Sequence, residues 1–194
     1  MASAPDPAAS ASVDGRAGAR TPAASRRADW PFMRGHPARW IALGFGSGLS
    51  PWAPGTAGTL WAWGVFVLLA PWLSGPWWLG LLAISATGGW WACTRTAQHL
   101  GIADPGAIVW DEVLAFWLVL WWLAPAGFWP QLAAFALFRL FDAVKPGPVG
   151  WADARYKQRP GTAIGWREGF GILFDDLVAA ACTVGVLMAW RALT

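Results

Sequence analysis

Apolar runs separated by short turns containing glycine or proline dominate the chain from Leu60 onward. Leu60 to Leu73 and Trp77 to Thr94 are two such runs, divided at Ser74-Gly75-Pro76, and no charged side chain occurs between Arg39 and Arg95. At about 1.5 Å per helical residue, about 20 residues cross a bilayer core. The second run nearly suffices alone, and the first does so if Thr56 to Thr59 are helical too, so the pair predicts a helical hairpin. Val113 to Trp129 is a third run, broken near Pro125 and Gly127. Gln131 to Phe141 is a fourth, short for an independent span, and Leu177 to Leu193 is a fifth, interrupted only by Arg191. The pattern predicts an all-α fold: a compact, membrane-embedded helical bundle of about four to five apolar helices. Short apolar runs also describe the core helices of soluble proteins, so a soluble bundle is the competing architecture.

Ahead of these runs, the first thirty or so residues are Ala, Pro, Ser and Arg without apolar periodicity. Such a segment buries too little surface to offset its ordering entropy. It is expected to be a disordered arm, residues 1–35, preceding one membrane domain, residues 36–194. It lacks the continuous apolar stretch of a signal peptide.

Composition supports the bilayer as solvent. Hydrophobic residues make up 56% of the 194 positions and charged residues 13%, about half the ~25% of ordinary soluble domains. Trp, present eighteen times, favours sites where an apolar ring lies beside a wet edge, above all the membrane interface. Residues 1–40 hold six Arg against three Asp, and the rest of the chain holds eight bases and eight acids. The excess positive charge therefore belongs to the arm, while the Trp residues lie in apolar runs, a pattern that argues against a nucleic-acid partner. Bases concentrate in the arm, near Arg95 and between Arg139 and Arg167, which should face the cytoplasm, leaving the Ser74–Pro76 and Ala124–Pro130 turns outside. Cys93 and Cys182 stand alone in apolar surroundings, so neither a disulfide framework nor a zinc site is indicated.

The placement of the acids is more informative. Outside the arm all eight fall on the same membrane face, and three groups abut apolar runs: Asp111-Glu112 opens one, Asp142 closes one, and Asp175-Asp176 opens another. If these helix ends meet, up to five carboxylates share one depth. Like charges so close do not all stay ionised without a cation, and hard oxygen ligands suit Mg²⁺. Acids also favour helix N-termini through the dipole, which would account for Asp111-Glu112 and Asp175-Asp176 without metal, but not for Asp142. For Asp104, Asp153 and Glu168 taken singly, an ordinary structural role is favoured.

Arg139 and Lys145 each lie three residues from Asp142, at helical-neighbour spacing. They could hold phosphate oxygens, pair with Asp142 or anchor the positive-inside face. The glycine-rich stretch from Gly44 to Thr59 is a candidate phosphate cradle, with Thr56 or Thr59 able to cap the following helix; small residues there would equally serve close helix packing. His36 and His99 are expected to be surface residues. No cysteine-phosphatase loop and no Gly-x-Ser-x-Gly elbow occurs. What remains is metal-assisted work on an oxyanion.

Four blocks in order, GFGSGLSPWAPGTAGTL (44–60), IVWDEV (108–113), FRLFDAVKPGPVGWAD (138–153) and GFGILFDDLVAA (169–180), resemble the phosphatidylglycerophosphatase A family, from about Trp40 to Trp190. The resemblance implies a Mg²⁺-dependent, multi-pass enzyme of the bacterial inner membrane, its active site facing the cytoplasm. The expected reaction is hydrolysis of phosphatidylglycerophosphate to phosphatidylglycerol and phosphate in phospholipid biosynthesis. It places acidic motif residues on Asp111, Glu112, Asp142, Asp175 and Asp176 as catalytic and metal-holding groups, with Lys145 beside them. Ser47, Gly55, Thr56, Arg139 and Lys145 are the expected substrate-binding set. Ala115 and Ala180 stand where the family usually has glycine, and the Arg155–Glu168 link is longer than expected. A membrane transporter or channel with an acidic ion site is the alternative; it would need polar groups along a path through the bilayer, whereas the runs are almost wholly Leu, Ala, Trp and Phe.

Overall fold

The computed structural model describes residues 28–156 and 162–193, which form helices, turns and loops with no β-strand among them. Two short helices come first, Trp30–Arg34 (α1) and Pro37–Ala42 (α2). Each has proline in its first turn and a side-chain cap: Phe32 N donates to Asp29 Oδ1 at 2.8 Å, and Ala38 N donates to His36 Nδ1 at 3.1 Å. Phe32 and Met33 are buried in a small cluster with Leu43 and Leu100. Residues 30–34, which fall within the expected arm, are thus helical, with Phe32 and Met33 seated in this cluster; residues 1–27 lie outside the described residues. His99 lies in the last turn of a helix and accepts from Arg39 Nε at 3.2 Å.

A 3₁₀ segment, Gly44–Leu49, leads to the long helices Pro54–Leu69 (α3), Gly75–Leu100 (α4), Trp110–Leu123 (α5), Phe128–Val144 (α6), Pro148–Tyr156 (α7) and Trp166–Leu193 (α8). The two runs of the predicted hairpin form α3 and α4, but each packs on α5 rather than extensively on the other; Thr56 to Thr59 are helical. The expected break near Pro125 separates α5 from α6. The fifth run differs: its helix begins at Trp166 rather than at Leu177, so Asp175 and Asp176 lie in a helix interior. Part of the Arg155–Glu168 link, residues 157–161, lies outside the described residues.

The central element is α5, which packs on α3, α4, α6 and α8. Apolar side chains surround it, as expected of a helix with no solvent face, and Val113 to Trp117 are all buried. Two buried indoles tie it to its neighbours: Trp110 Nε1 donates to Ser85 O at 3.0 Å and Trp117 Nε1 to Ala62 O at 2.8 Å. Gly169 lets α8 cross α4 closely, since a Cβ there would lie 1.8 Å from Thr94 Oγ1 and 2.9 Å from Thr94 Cα. By length and composition α8 is the single described helix able to cross a membrane, and α3 is apolar but shorter. The all-helical bundle is observed; the four to five spans are not established by helix length.

Candidate active site

Three helices carry acids to one place: the first turn of α5, the last turns of α6 and the middle of α8. One oxygen each from Asp111, Glu112 and Asp176 lie within 4.8 Å of one another. Asp111 Oδ1, Glu112 Oε2 and Asp176 Oδ2 are buried and lack a hydrogen-bond partner. A buried carboxylate oxygen without a donor is costly, and three carboxylates that converge repel one another as well when ionised. Burial, followed by the charges of Glu112 and Asp176, holds the Asp111 carboxyl well above the usual carboxylate range. Glu112 is pushed up to about 7, chiefly by burial; its bond with Asp111 and the Arg139 charge oppose the shift while Asp142 adds to it. Both residues precede the apolar stretch of α5. The dipole explanation fails for Asp176, which sits ten residues into its helix.

Asp142, in the last turn of α6, receives a charge-assisted hydrogen bond from Arg139 Nη1 one helical turn earlier. It is also within hydrogen-bonding reach of Asp176. The same guanidinium nitrogen lies 3.6 Å from Glu112 Oε1 and 3.5 Å from Thr59 Oγ1, which in turn donates to Gly55 O at 2.8 Å. At Gly55 the α3 backbone comes close to this group: a Cβ there would sit 2.2 Å from Glu112 Oε1 and 3.1 Å from both terminal Arg139 nitrogens.

Lys145 follows α6 in the left-handed region, φ 48° and ψ 51°, closing the helix with its N–H on Phe141 O. A side chain other than glycine pays in strain for that conformation. The turn aims Lys145 away from Asp142, the neighbour that the three-residue spacing suggested, because the helix ends at Val144. Its Nζ bonds Asp153 Oδ1 at 2.8 Å and Asp175 Oδ2. Burial alone would lower its pKa, but these two carboxylates outweigh it and hold the ammonium above the usual lysine range.

The five acids therefore divide. Asp111, Glu112 and Asp176 converge, Asp142 joins them through Arg139, and Asp175 faces Lys145. Asp175 also borders a cavity of ≈ 270 Å³ lined by Asp104, Asp153, Tyr156 and Glu168. Of the expected cradle, Gly55 lies at the site and Thr56 is half-buried beside it in the first turn of α3. Ser47 Oγ donates to Gly44 O at 2.8 Å, a bond internal to the 3₁₀ segment. Neither threonine caps α3, whose N-cap is Ala53 with no side-chain bond. From sequence Thr59 was expected only as a helix cap and Asp153 only in an ordinary structural role; the four-residue spacing from Gly55 and the Pro-Gly-Pro turn folding α7 back past Lys145 were the available signals for their places here. Ala115 and Ala180 are buried in the core.

A sequence profile of the phosphatidylglycerophosphatase A family matches residues 40–191. The chain is 37% identical over 158 residues to phosphatidylglycerophosphatase A of Escherichia coli K12, covering 78% of this chain and 82% of that protein. The chain belongs to the phosphatidylglycerophosphatase A family. The Haemophilus influenzae phosphatidylglycerophosphatase A is also 37% identical, over 154 residues, 79% of this chain and 88% of the relative. A putative phosphatidylinositol-3-phosphatase of Bacteroides thetaiotaomicron is 36% identical over 145 residues, 72% and 84% of the two chains. No solved structure gives a significant match. Membership makes this chain an enzyme of the phosphatase class.

Proposed function

We propose that this phosphatidylglycerophosphatase A family member removes the terminal phosphate of phosphatidylglycerophosphate, yielding phosphatidylglycerol and inorganic phosphate, in a Mg²⁺-dependent step of phospholipid biosynthesis at the cytoplasmic face of a membrane. The observation that carries the reading is the set of three buried, unpartnered carboxylate oxygens on Asp111, Glu112 and Asp176. An all-oxygen, anionic donor set fits a hard divalent cation. A Mg²⁺ ion held by these three residues would neutralise phosphomonoester charge and supply a water of lowered pKa.

The chain's own residues do the rest. Arg139 offsets charge on the phosphoryl oxygens, and Asp142 and Thr59 fix its guanidinium in place. Asp142 thus acts through Arg139 and Asp176. Lys145, held by Asp153 and Asp175, stays ionised and adds a second positive charge near the departing phosphate. Gly55 leaves room for the Glu112–Arg139 pair, and Ser47 stiffens the turn before α3. Water adds to phosphorus as the glycerol oxygen leaves with a proton.

Large apolar side chains on the outer helices support the bilayer as the surrounding medium: Leu68, Trp72, Trp77, Ile84, Trp129 and Trp190 are all strongly exposed. Trp72, Trp77, Trp129 and Trp190 fall at the helix ends remote from the acids, and Trp30, Trp52, Trp151 and Trp166 at the other end, as two interfacial belts would.

The test is phosphate release by the purified full chain from phosphatidylglycerophosphate, phosphatidylinositol 3-phosphate and phosphatidic acid, with Mg²⁺ and then with chelator. Phosphatidylglycerophosphate should be cleaved fastest and only with the cation. Undiminished release in chelator, or preference for the inositol lipid, would overturn the assignment.

A further inference from the structure

A lipid whose phosphate reaches the carboxylate cluster must lay its tails along the protein. Helices α3 and α6 both pack on α5 without packing extensively on each other. Between them runs a trough of ≈ 490 Å³ lined by Leu60, Trp63, Gly64 and Val67 of α3 and by Phe128 and Gln131 of α6, a volume in the range of ligand pockets. Leu60, Gly64 and Val67 share one helix face. Leu60, Val67 and Phe128 are 50%, 52% and 60% exposed, and nothing lies within 4 Å of a Cβ placed on Gly64.

The polar groups bordering the trough have partners. Trp63 Nε1 donates to Gln131 Oε1 at 2.6 Å, and Gln131 Nε2 donates to Ala126 O at 2.7 Å. The Trp63 ring stacks on Phe128 and Phe135 at 5.7 and 5.6 Å. The surface offered is therefore apolar. One end adjoins the site, because Leu60 follows Thr59, the hydroxyl that meets Arg139. From Gly55 along α3, Leu60 lies about 8 Å and Val67 about 18 Å away; from Arg139 along α6, Phe128 lies about 16 Å away. That is the depth an acyl chain occupies below a phosphate at the cluster.

We propose that this trough seats one acyl chain of the phosphomonoester lipid substrate. The assignment rests on the lipid-phosphatase reading above. The test compares kcat/KM for dipalmitoyl and dibutyryl phosphatidylglycerophosphate in mixed micelles, using the full chain and its Gly64→Trp and Val67→Trp variants, with thermal unfolding to confirm folding. Each variant should lower the long-to-short ratio about tenfold or more, the effect of about two displaced methylenes. Gly80→Trp on α4, where a Cβ also meets nothing within 4 Å, should leave the ratio at the wild-type value. An unchanged ratio in both trough variants while wild type cleaves lipid would overturn the trough assignment alone, leaving the groove to bystander lipid. An equal fall in Gly80→Trp would overturn it too. Wild type that cleaves neither lipid would overturn the phosphatase reading and the trough with it.

Discussion

Gly55→Ala tests the geometry of the site with a single methyl group. The added carbon would lie 2.2 Å from Glu112 Oε1, and real Cβ contacts essentially never fall under 3.0 Å, so the oxygen must retreat by at least 0.8 Å. Both terminal nitrogens of Arg139, 3.1 Å from the same point, must also give slightly. Misplacing catalytic groups by about 1 Å costs on the order of a hundredfold in rate, equivalent to about 2.7 kcal/mol of transition-state stabilisation. Folding should scarcely suffer: the displaced atoms are the ends of flexible side chains, and alanine is the better helix former by up to ~1 kcal/mol. Gly58→Ala is the matched contrast. Its Cβ would meet the branched Val109 side chain at 2.7, 3.1 and 3.3 Å, overpacking the core by about 1–3 kcal/mol while leaving activity per folded molecule intact. Phosphate release and thermal unfolding, measured on both variants, separate the two effects. A Gly55→Ala protein with near wild-type kcat/KM would refute the claim that Glu112 and Arg139 work at this spot.

Three further outcomes follow from the same contacts. Cation-free protein should lose stability as pH rises: burial raises Glu112 from 4.5 to about 7 in the folded protein, so the stability this residue contributes is fully present below about pH 4.5 and falls by roughly 3 kcal/mol as pH rises through 7; thermal unfolding in chelator reads this, and a flat profile would contradict it. Asp176→Asn should abolish phosphate release yet raise the cation-free stability by about 1–3 kcal/mol, since it removes one of three crowded buried carboxylates; a less stable variant would count against the crowding. Gly169→Ala should destabilise by at least about 1–3 kcal/mol by prising α8 from Thr94, with partial recovery in the Gly169→Ala/Thr94→Ala double variant, both read by thermal unfolding.

Much of the architecture was legible because apolar runs and their breakers are local signals. Ser74-Gly75-Pro76 and the Pro125–Gly127 turn divide helices where the pattern placed them. The start of α8 was not legible, since Arg167 and Glu168 interrupt the apolar run; Glu168 is nonetheless buried, accepting a hydrogen bond from Gly165 N at 2.9 Å. For the same reason Asp175 and Asp176 looked like the head of a helix when they occupy its middle. The choice of acids was legible as a set, because charges adjoining apolar runs are rare enough to stand out. Their division was not: whether Asp175 or Asp176 faces the other carboxylates depends on helix rotation, and Lys145 reaches Asp153 and Asp175 only because a left-handed residue ends α6. The four-residue spacing puts Thr59 and Gly55 on one face of α3, but the close approach of that face to Arg139 is a tertiary contact that the sequence does not carry.

The central claim is that Asp111, Glu112 and Asp176 hold one divalent cation. Mn²⁺ titration of the full chain followed by electron paramagnetic resonance, with Mg²⁺ competition, reads occupancy directly and without substrate. Wild-type protein should take up one ion per chain that Mg²⁺ displaces, and Asp176→Asn should bind it at least about tenfold more weakly. Equal Mn²⁺ affinity in wild type and Asp176→Asn, or no binding in either, would contradict the account.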